Sequence, residues 1–299
     1  LTGRAEYGVG SGIVWDSDAA EEYAECQVKA RVLTVRRPAF NLLESLRWTP
    51  EGGYFLLERH LARLRESAEY FDFPFDEERL RVRLDENAPT KPVPHKTRLL
   101  LTRAGEVTLE HQPLPPAPFL LFPSSPLPLF SSSPASPPAP RTLRLRKASA
   151  QGATPSIKGS PPKALGQASA QGSALRVTFA LSPVSSADVF LFHKTTHRAV
   201  YEAARAACPG YEEVLLWNER GEVTEFTASN VVVQIEGQLF TPPVECGLLA
   251  GTLRGELLAQ GTVVQGTVTE RVIPREQVLE AEAVWAVNSV RGWRKVSFG

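Results

Sequence analysis

The 299-residue chain is 42% hydrophobic and carries 33 basic against 33 acidic side chains, a balance that supplies no net field to draw it to nucleic acid or to an acidic membrane surface. Its three cysteines, Cys26, Cys208 and Cys246, are odd in number and lack metal-ligand spacing, which argues against both a disulfide framework and a metal site and fits a reducing compartment. No run approaches the ~20 apolar residues of a membrane span and no secretory leader is legible, so a cytoplasmic globular protein of roughly two domains is expected.

Residues 1 to 37 open on a glycine-punctuated run, YGVGSGIVWDS, and pass into a helix-like EEYAECQVKARVL, a length too short to hold a core of its own. From residue 38 to 121 the pattern is that of a small α/β domain. FNLLESLRW reads as a strand, Gly52-Gly53 as a turn and YFLL as its hairpin partner. Leu57, Leu61, Leu64, Ala68 and Phe71 then recur at helical spacing, so ERHLARLRESAEYF buries one stripe. TRLLLTRAGEVTLEH adds a second hairpin turning at Ala104-Gly105.

The composition changes between Pro113 and Gly172, which hold 14 of the 25 prolines and the pentapeptide ASAQG twice, at 148–152 and 168–172. Such a segment buries too little apolar surface to offset its ordering entropy, so 122–172 is expected to be a connector with one strand at TLRLR. Residues 173 to 299 form the larger block, a mixed sheet with helices. Strands are expected at LRVTFALS and DVFLF, a helix at AVYEAARAA, and hairpins at EVLLWNERGEVTEF and NVVVQIEGQLFTPP. LRGELLAQ reads as a short helix and AVWAVNSV as a closing strand.

Within FLFHKTTHRAVYEAAR, His193, Lys194, His197 and Arg198 crowd the start of an alanine-rich helix, where the helix dipole disfavours cations. The cluster is either a solvated basic cap or an anion site with a lysine available for chemistry. GLLAGTLRGEL hands a Gly-containing turn to a helix, which is ordinary capping or a phosphate cradle to which the Thr252 hydroxyl adds a donor. Glu225 is solvated or, if buried, in need of a cationic partner. Arg63 lies beside the buried stripe of its helix, within reach of a cleft. A lysine amine, a phosphate cradle with an arginine, and a carboxylate for a protonated ring nitrogen are together what pyridoxal phosphate requires.

The ordered motifs FNLLESLRW, HLARLRESA, HKTTHRAVY, EVTEFTASNVV, GLLAGTLR and VNSVRG resemble the class IV aminotransferases, the fold-type IV pyridoxal 5′-phosphate enzymes, and among them most the aminodeoxychorismate lyases. The resemblance implies a two-domain α/β (α+β) fold and a homodimer. It implies that Lys194 binds the cofactor aldehyde covalently, Glu225 faces the pyridine nitrogen, Arg63 and the backbone amides of Thr252 and Leu253 hold the phosphate, and Ser289 lies near it. Arg47, Arg198, Tyr201 and Asn230 fall in motif positions whose roles vary, and are expected toward the substrate. The implied activity is conversion of 4-amino-4-deoxychorismate to 4-aminobenzoate and pyruvate in folate biosynthesis. The alternatives are amino transfer on branched-chain or D-amino acids and an inactive fragment that keeps the fold. Residues 1–37 resemble the C-terminal end of component I of aminodeoxychorismate synthase, where the residues matching Glu25 and Lys29 serve magnesium and substrate. No synthase activity is expected of so short a remnant.

Overall fold

The computed structural model describes residues 6–30, 38–116, 119, 174–259 and 267–299. The expected connector, with its strand at TLRLR, lies outside them. Helix α1 (Ala19–Ala30) forms at the expected place but buries none of its side chains, and Lys29 pairs with Glu25 at 2.6 Å and donates to the Gly10 carbonyl.

The small domain is a four-stranded antiparallel sheet, order β2-β1-β3-β4, built from β1 (Leu42–Thr49), β2 (Gly53–Tyr54), β3 (His95–Leu101) and β4 (Val107–Pro113). Helices α2 (Leu57–Phe71) and α3 (Glu77–Glu86) complete it, the second without a counterpart in the expected pattern. The hairpin partner of β1 is only two residues long, because Leu56 turns into the left-handed region (φ 53°) and the helix starts at once. Strand alternation decides what β1 offers to each side. Leu42 and Leu46 pack with Leu61, Leu64 and Ala68 of α2 and with Leu99 and Leu101 of β3, while Leu43 and Ser45 turn to the other face. Complete burial is worth about 1.5–3 kcal/mol for each such leucine, so this layer holds the domain together.

The large domain is an eight-stranded mixed sheet, order β10-β9-β8-β11-β12-β5-β6-β7, formed by β5 (Leu175–Phe179), β6 (Glu213–Trp217), β7 (Val223–Phe226), β8 (Asn230–Ile235), β9 (Gln238–Thr241), β10 (Val268–Glu270), β11 (Ala283–Asn288) and β12 (Gly292–Phe298). The pairing of Glu225 with Asn230 joins β7 back to β8, so six of the strands close into a ring. Valines of β8 divide by parity: Val231 and Val233 join one cluster with Leu215, Phe226 and Ala286, whereas Val232 packs with Leu253 and Leu257 of α6 (Thr252–Ala259). Helix α5 (Ala199–Ala207) covers β6 through Tyr201 against Val214 and Leu216.

The run at Asp188–Phe192, expected as a strand, is instead a single helical turn, α4 (Val189–Phe192). Asp188 accepts the Phe190 N–H at 2.9 Å, an N-cap that outweighs the β preference of the aromatics. The chain also closes one strand later than expected: β11 ends at Asn288, Ser289–Arg291 form the turn, and β12 returns beside it.

Candidate active site

A cavity of about 650 Å³ opens between the two domains, lined on one side by Leu43, Ser45, Lys96 and Arg98 of the small sheet and on the other by the β7–β8 turn, the start of α6 and the β11–β12 turn. Lys194 lies on its wall. After the turn of α4 the chain runs beside the start of β1, where Leu43 N–H donates to the Lys194 carbonyl and Thr196 N–H to that of Asn41, both at 2.9 Å. The lysine backbone is thereby fixed at the seam between domains. Burial pushes its ammonium down to about 8, with Arg63 and Arg198 adding to the effect and Glu44 and Glu225 opposing it. About a tenth of the amine is therefore neutral at pH 7, far more than for an ordinary lysine, and available as a nucleophile or base.

Glu225 is buried, on β7. Its Oε1 accepts from Tyr201 Oη at 2.7 Å and Leu249 N–H at 3.2 Å, and its Oε2 takes only a longer contact from Asn230 Nδ2, at 3.3 Å. Burial raises its pKa to about 7 against these hydrogen bonds. The same burial, helped by Glu225 itself, lifts the Tyr201 phenol well above its ordinary value, so Tyr201 is a donor and not a base.

Arg63 reaches the cavity from α2, but most of its fork is already engaged. Its Nε and Nη2 hold Glu44 at 2.8 and 2.7 Å, and Nη1 donates to the Ala250 carbonyl at 3.1 Å. Three of five guanidinium donors are thus used, leaving one N–H on each terminal nitrogen. Glu44 also meets His60 Nδ1 at 2.7 Å, and His60 Nε2 lies 3.2 Å from Thr252 Oγ1. Burial alone would raise the Glu44 pKa, but Arg63 and His60 overcome it and hold the carboxyl well below the usual range. Burial keeps His60 neutral, lowering its pKa. A carboxylate can only accept, so the shared proton sits on Nδ1, and Nε2 accepts a hydrogen bond from the Thr252 hydroxyl. The hydroxyl is therefore engaged and is not the extra anion donor expected of it. What remains at the start of α6 are the backbone N–H groups of Thr252 and Leu253, which have no acceptor among the described residues. The chain passes so tightly here that a Cβ on Gly251 would lie 1.8 Å from Asn230 Oδ1.

Lys194, Arg63, Glu225, Thr252, Leu253, Ser289, Arg198, Tyr201 and Asn230 therefore line one cavity. Arg47 does not. Its guanidinium donates to the Val290 carbonyl at 3.1 Å and sits 4.3 Å over the Phe119 ring, beside the cavity and not in it. The basic cluster also divides: Lys194 and Arg198 line the cavity, while His193 bonds Ser67 and packs on Phe71, and His197 packs on Phe190. Residues the motif reading passed over are Glu44, His60, Lys96, Arg98 and Arg291. An acid between two core leucines of β1 is the pattern that singles out Glu44, and a pair of cations alternating along β3 singles out Lys96 and Arg98; His60 and Arg291 carry no comparable signal.

Residues 41–297 match the family described as amino-transferase class IV. The chain belongs to that family. Residues 2–35 match the chorismate binding enzyme family. A Schizosaccharomyces pombe protein named for aminodeoxychorismate lyase activity is 36% identical over 103 residues, 33% of this chain and 44% of that protein, so the chain spans less than half the length of this curated relative. The solved structure of a Mesorhizobium loti protein named for amino-acid aminotransferase activity superposes with a TM-score of 0.64 at 28% identity, covering 87% of this chain and all of that one. A Mycobacterium tuberculosis protein named as a hypothetical aminotransferase and solved in a PLP-bound form shares the fold at 18% identity and a TM-score of 0.59, over 86% and 80% of the two chains. No helix among the described residues is long and apolar enough to cross a membrane.

Proposed function

We propose that the chain is a pyridoxal-phosphate-dependent lyase that takes 4-amino-4-deoxychorismate to 4-aminobenzoate and pyruvate, a step of folate biosynthesis, and that it works as a homodimer. The observation that carries the cofactor is the convergence of a low-pKa lysine, a buried carboxylate and an anion cradle on one cavity. The donor set fits. Glu225 Oε2 is a buried carboxylate oxygen with one long contact, suited to a protonated ring nitrogen, and the Thr252 and Leu253 amides with the spare Arg63 donors suit a phosphate.

When bound, pyridoxal phosphate supplies an electron sink for the carbon next to the substrate nitrogen. The protein's part is positional and acid–base. Tyr201, Asn230 and the Leu249 amide hold Glu225 in place, and Glu225 gains the counterion that its burial demands. Lys194, as a neutral amine, takes the proton from the substrate carbon that bears nitrogen. The carbon–oxygen bond to the enolpyruvyl group breaks with its electron pair on oxygen, the ring becomes aromatic, and the enolpyruvate takes up one proton, equal to the one removed from carbon, to leave as pyruvate.

The cavity wall favours this substrate over a branched-chain amino acid. Lys96, Arg98, Arg198 and Arg291 line it, and Lys96 is a half-buried ammonium whose pKa burial and those arginines depress. With Arg205 and Arg294 these cations outnumber the Glu202, Glu212 and Glu213 carboxylates on the same lining, although Arg98 also pairs with Glu110, so a substrate with two carboxylates balances the remaining positive charge and an apolar side chain does not. The neighbouring match to chorismate-binding enzymes supports the same substrate. The Mesorhizobium likeness supports the competing reading, amino transfer. Purified chain with pyridoxal phosphate and aminodeoxychorismate should release 4-aminobenzoate with no keto acid present, and Lys194→Ala should abolish release. Keto-acid-dependent transfer without 4-aminobenzoate would establish the transaminase, and a protein that takes up no cofactor would leave only a retained fold.

A further inference from the structure

We propose that Glu44 is a positioning residue, holding Arg63 directly and Thr252 through His60 in the arrangement that recognises a phosphate. This rests on the cofactor reading given above and adds to it the device that shapes the cradle. Glu44 occupies the middle of β1 between Leu42 and Leu46, on the side that packs against α2, and is 1% exposed. His60 and Arg63 are three residues apart on α2 and so present one face to it. The carboxylate meets both, at 2.7 Å to His60 Nδ1 and at 2.7 and 2.8 Å to Arg63.

Stability does not account for a buried triad of this kind, since apolar residues of similar volume commonly serve as well. Its geometry does account for the cradle. Engaging the Nε and Nη2 edge of Arg63 fixes the guanidinium plane, and with Nη1 on the Ala250 carbonyl the two remaining N–H groups have one direction left to them. Through His60, whose Nδ1–H the carboxylate holds, Nε2 takes the Thr252 hydroxyl and ties the first turn of α6 to the small domain. The amides of that turn and the spare arginine donors come from different domains, and Glu44 is the residue in contact with both lines of positioning. It also cancels the Arg63 charge, so phosphate is recognised by donor placement and not by a free positive charge.

That cancellation makes the test two-signed. If Glu44 served only as a counterion, Glu44→Gln would expose the arginine charge and strengthen phosphate binding. If it positions, the same variant weakens it. The measurement is the ratio of affinities for pyridoxal 5′-phosphate and pyridoxal, which share the ring and the reaction with Lys194 and differ in the phosphate, so a general loss of structure lowers both and leaves the ratio. We expect Glu44→Gln to lower the ratio about tenfold or more, and Glu44→Asp, which keeps the charge but retracts it by one methylene, to lower it as well. A ratio that is unchanged or higher in Glu44→Gln, or preserved in Glu44→Asp, overturns the proposal. Should neither variant fold, 15N NMR of the histidines in the unmodified chain decides: the His60 resonances should show the Nδ1–H tautomer and shift on addition of inorganic phosphate, and unmoved resonances overturn it. Failure of the cofactor reading has a separate signature, an unmodified chain that prefers pyridoxal 5′-phosphate no more than pyridoxal.

Discussion

Glu225→Gln separates what the buried carboxylate costs the apoprotein from what it contributes once the ring nitrogen is bound. The folded pKa is about 7 against an ordinary 4.5, raised by burial. Below 4.5 the folded and unfolded chains are both protonated and the group is neutral in its effect. Between 4.5 and 7 the unfolded chain ionises while the folded one keeps its proton, so stability falls as pH rises. Above 7 both are ionised and the full penalty, about 3 kcal/mol, persists. Integrated between pH 5 and pH 8, the difference is roughly 2.5 kcal/mol. Glutamine keeps a carbonyl for Tyr201 Oη and the Leu249 amide and cannot ionise, so the variant apoprotein should be the more stable by about that amount at pH 8 relative to pH 5. Urea unfolding of both proteins without cofactor at the two pH values measures it. Added pyridoxal 5′-phosphate should reverse the ranking, because only the carboxylate gains from a protonated ring nitrogen. Parallel pH profiles, differing by less than about 0.5 kcal/mol, would refute the claim that Glu225 is buried without a cationic partner in the apoprotein.

Lys194 in the apoprotein should react with pyridoxal and borohydride at a rate that climbs with pH and levels off above about 8, where an ordinary lysine would still be rising toward 10.5; peptide mass spectrometry at each pH resolves the two profiles. Gly251→Ala places a Cβ 1.8 Å from Asn230 Oδ1, forcing Asn230 away from the Leu249 carbonyl at 2.9 Å and from Glu225. Denaturant midpoints should fall by the equivalent of about 1–3 kcal/mol and pyridoxal 5′-phosphate affinity should drop, whereas an unaffected variant would disprove the close approach. Leu64→Ala, at a site 2% exposed between β1 and α2, should destabilise the protein by about 2–5 kcal/mol, and a loss under 1 kcal/mol would mean that this layer does not carry the small domain.

Residues whose chemistry is carried by their type were legible in the chain; residues whose meaning comes from a partner were not. The stripe Leu57, Leu61, Leu64, Ala68 and Phe71 declares α2 through spacing alone, and Lys194 beside an alanine-rich helix stands out because a cation there is costly. DVFLF misleads because period and propensity are silent about Asp188, whose hydrogen bond to the Phe190 amide makes a helical turn of an aromatic run. Thr252 misleads in the same way: a hydroxyl at a helix start is a plausible anion donor until His60, 192 residues away in sequence, accepts its hydrogen bond. Glu44 is the sharpest case. On its own it is one acid in a strand, and only after β1 is laid against α2 do its two oxygens meet His60 and Arg63. Motif positions thus locate the groups that touch a cofactor, while the contacts that orient those groups run between segments far apart in the chain and become visible only when the two domains close on one another.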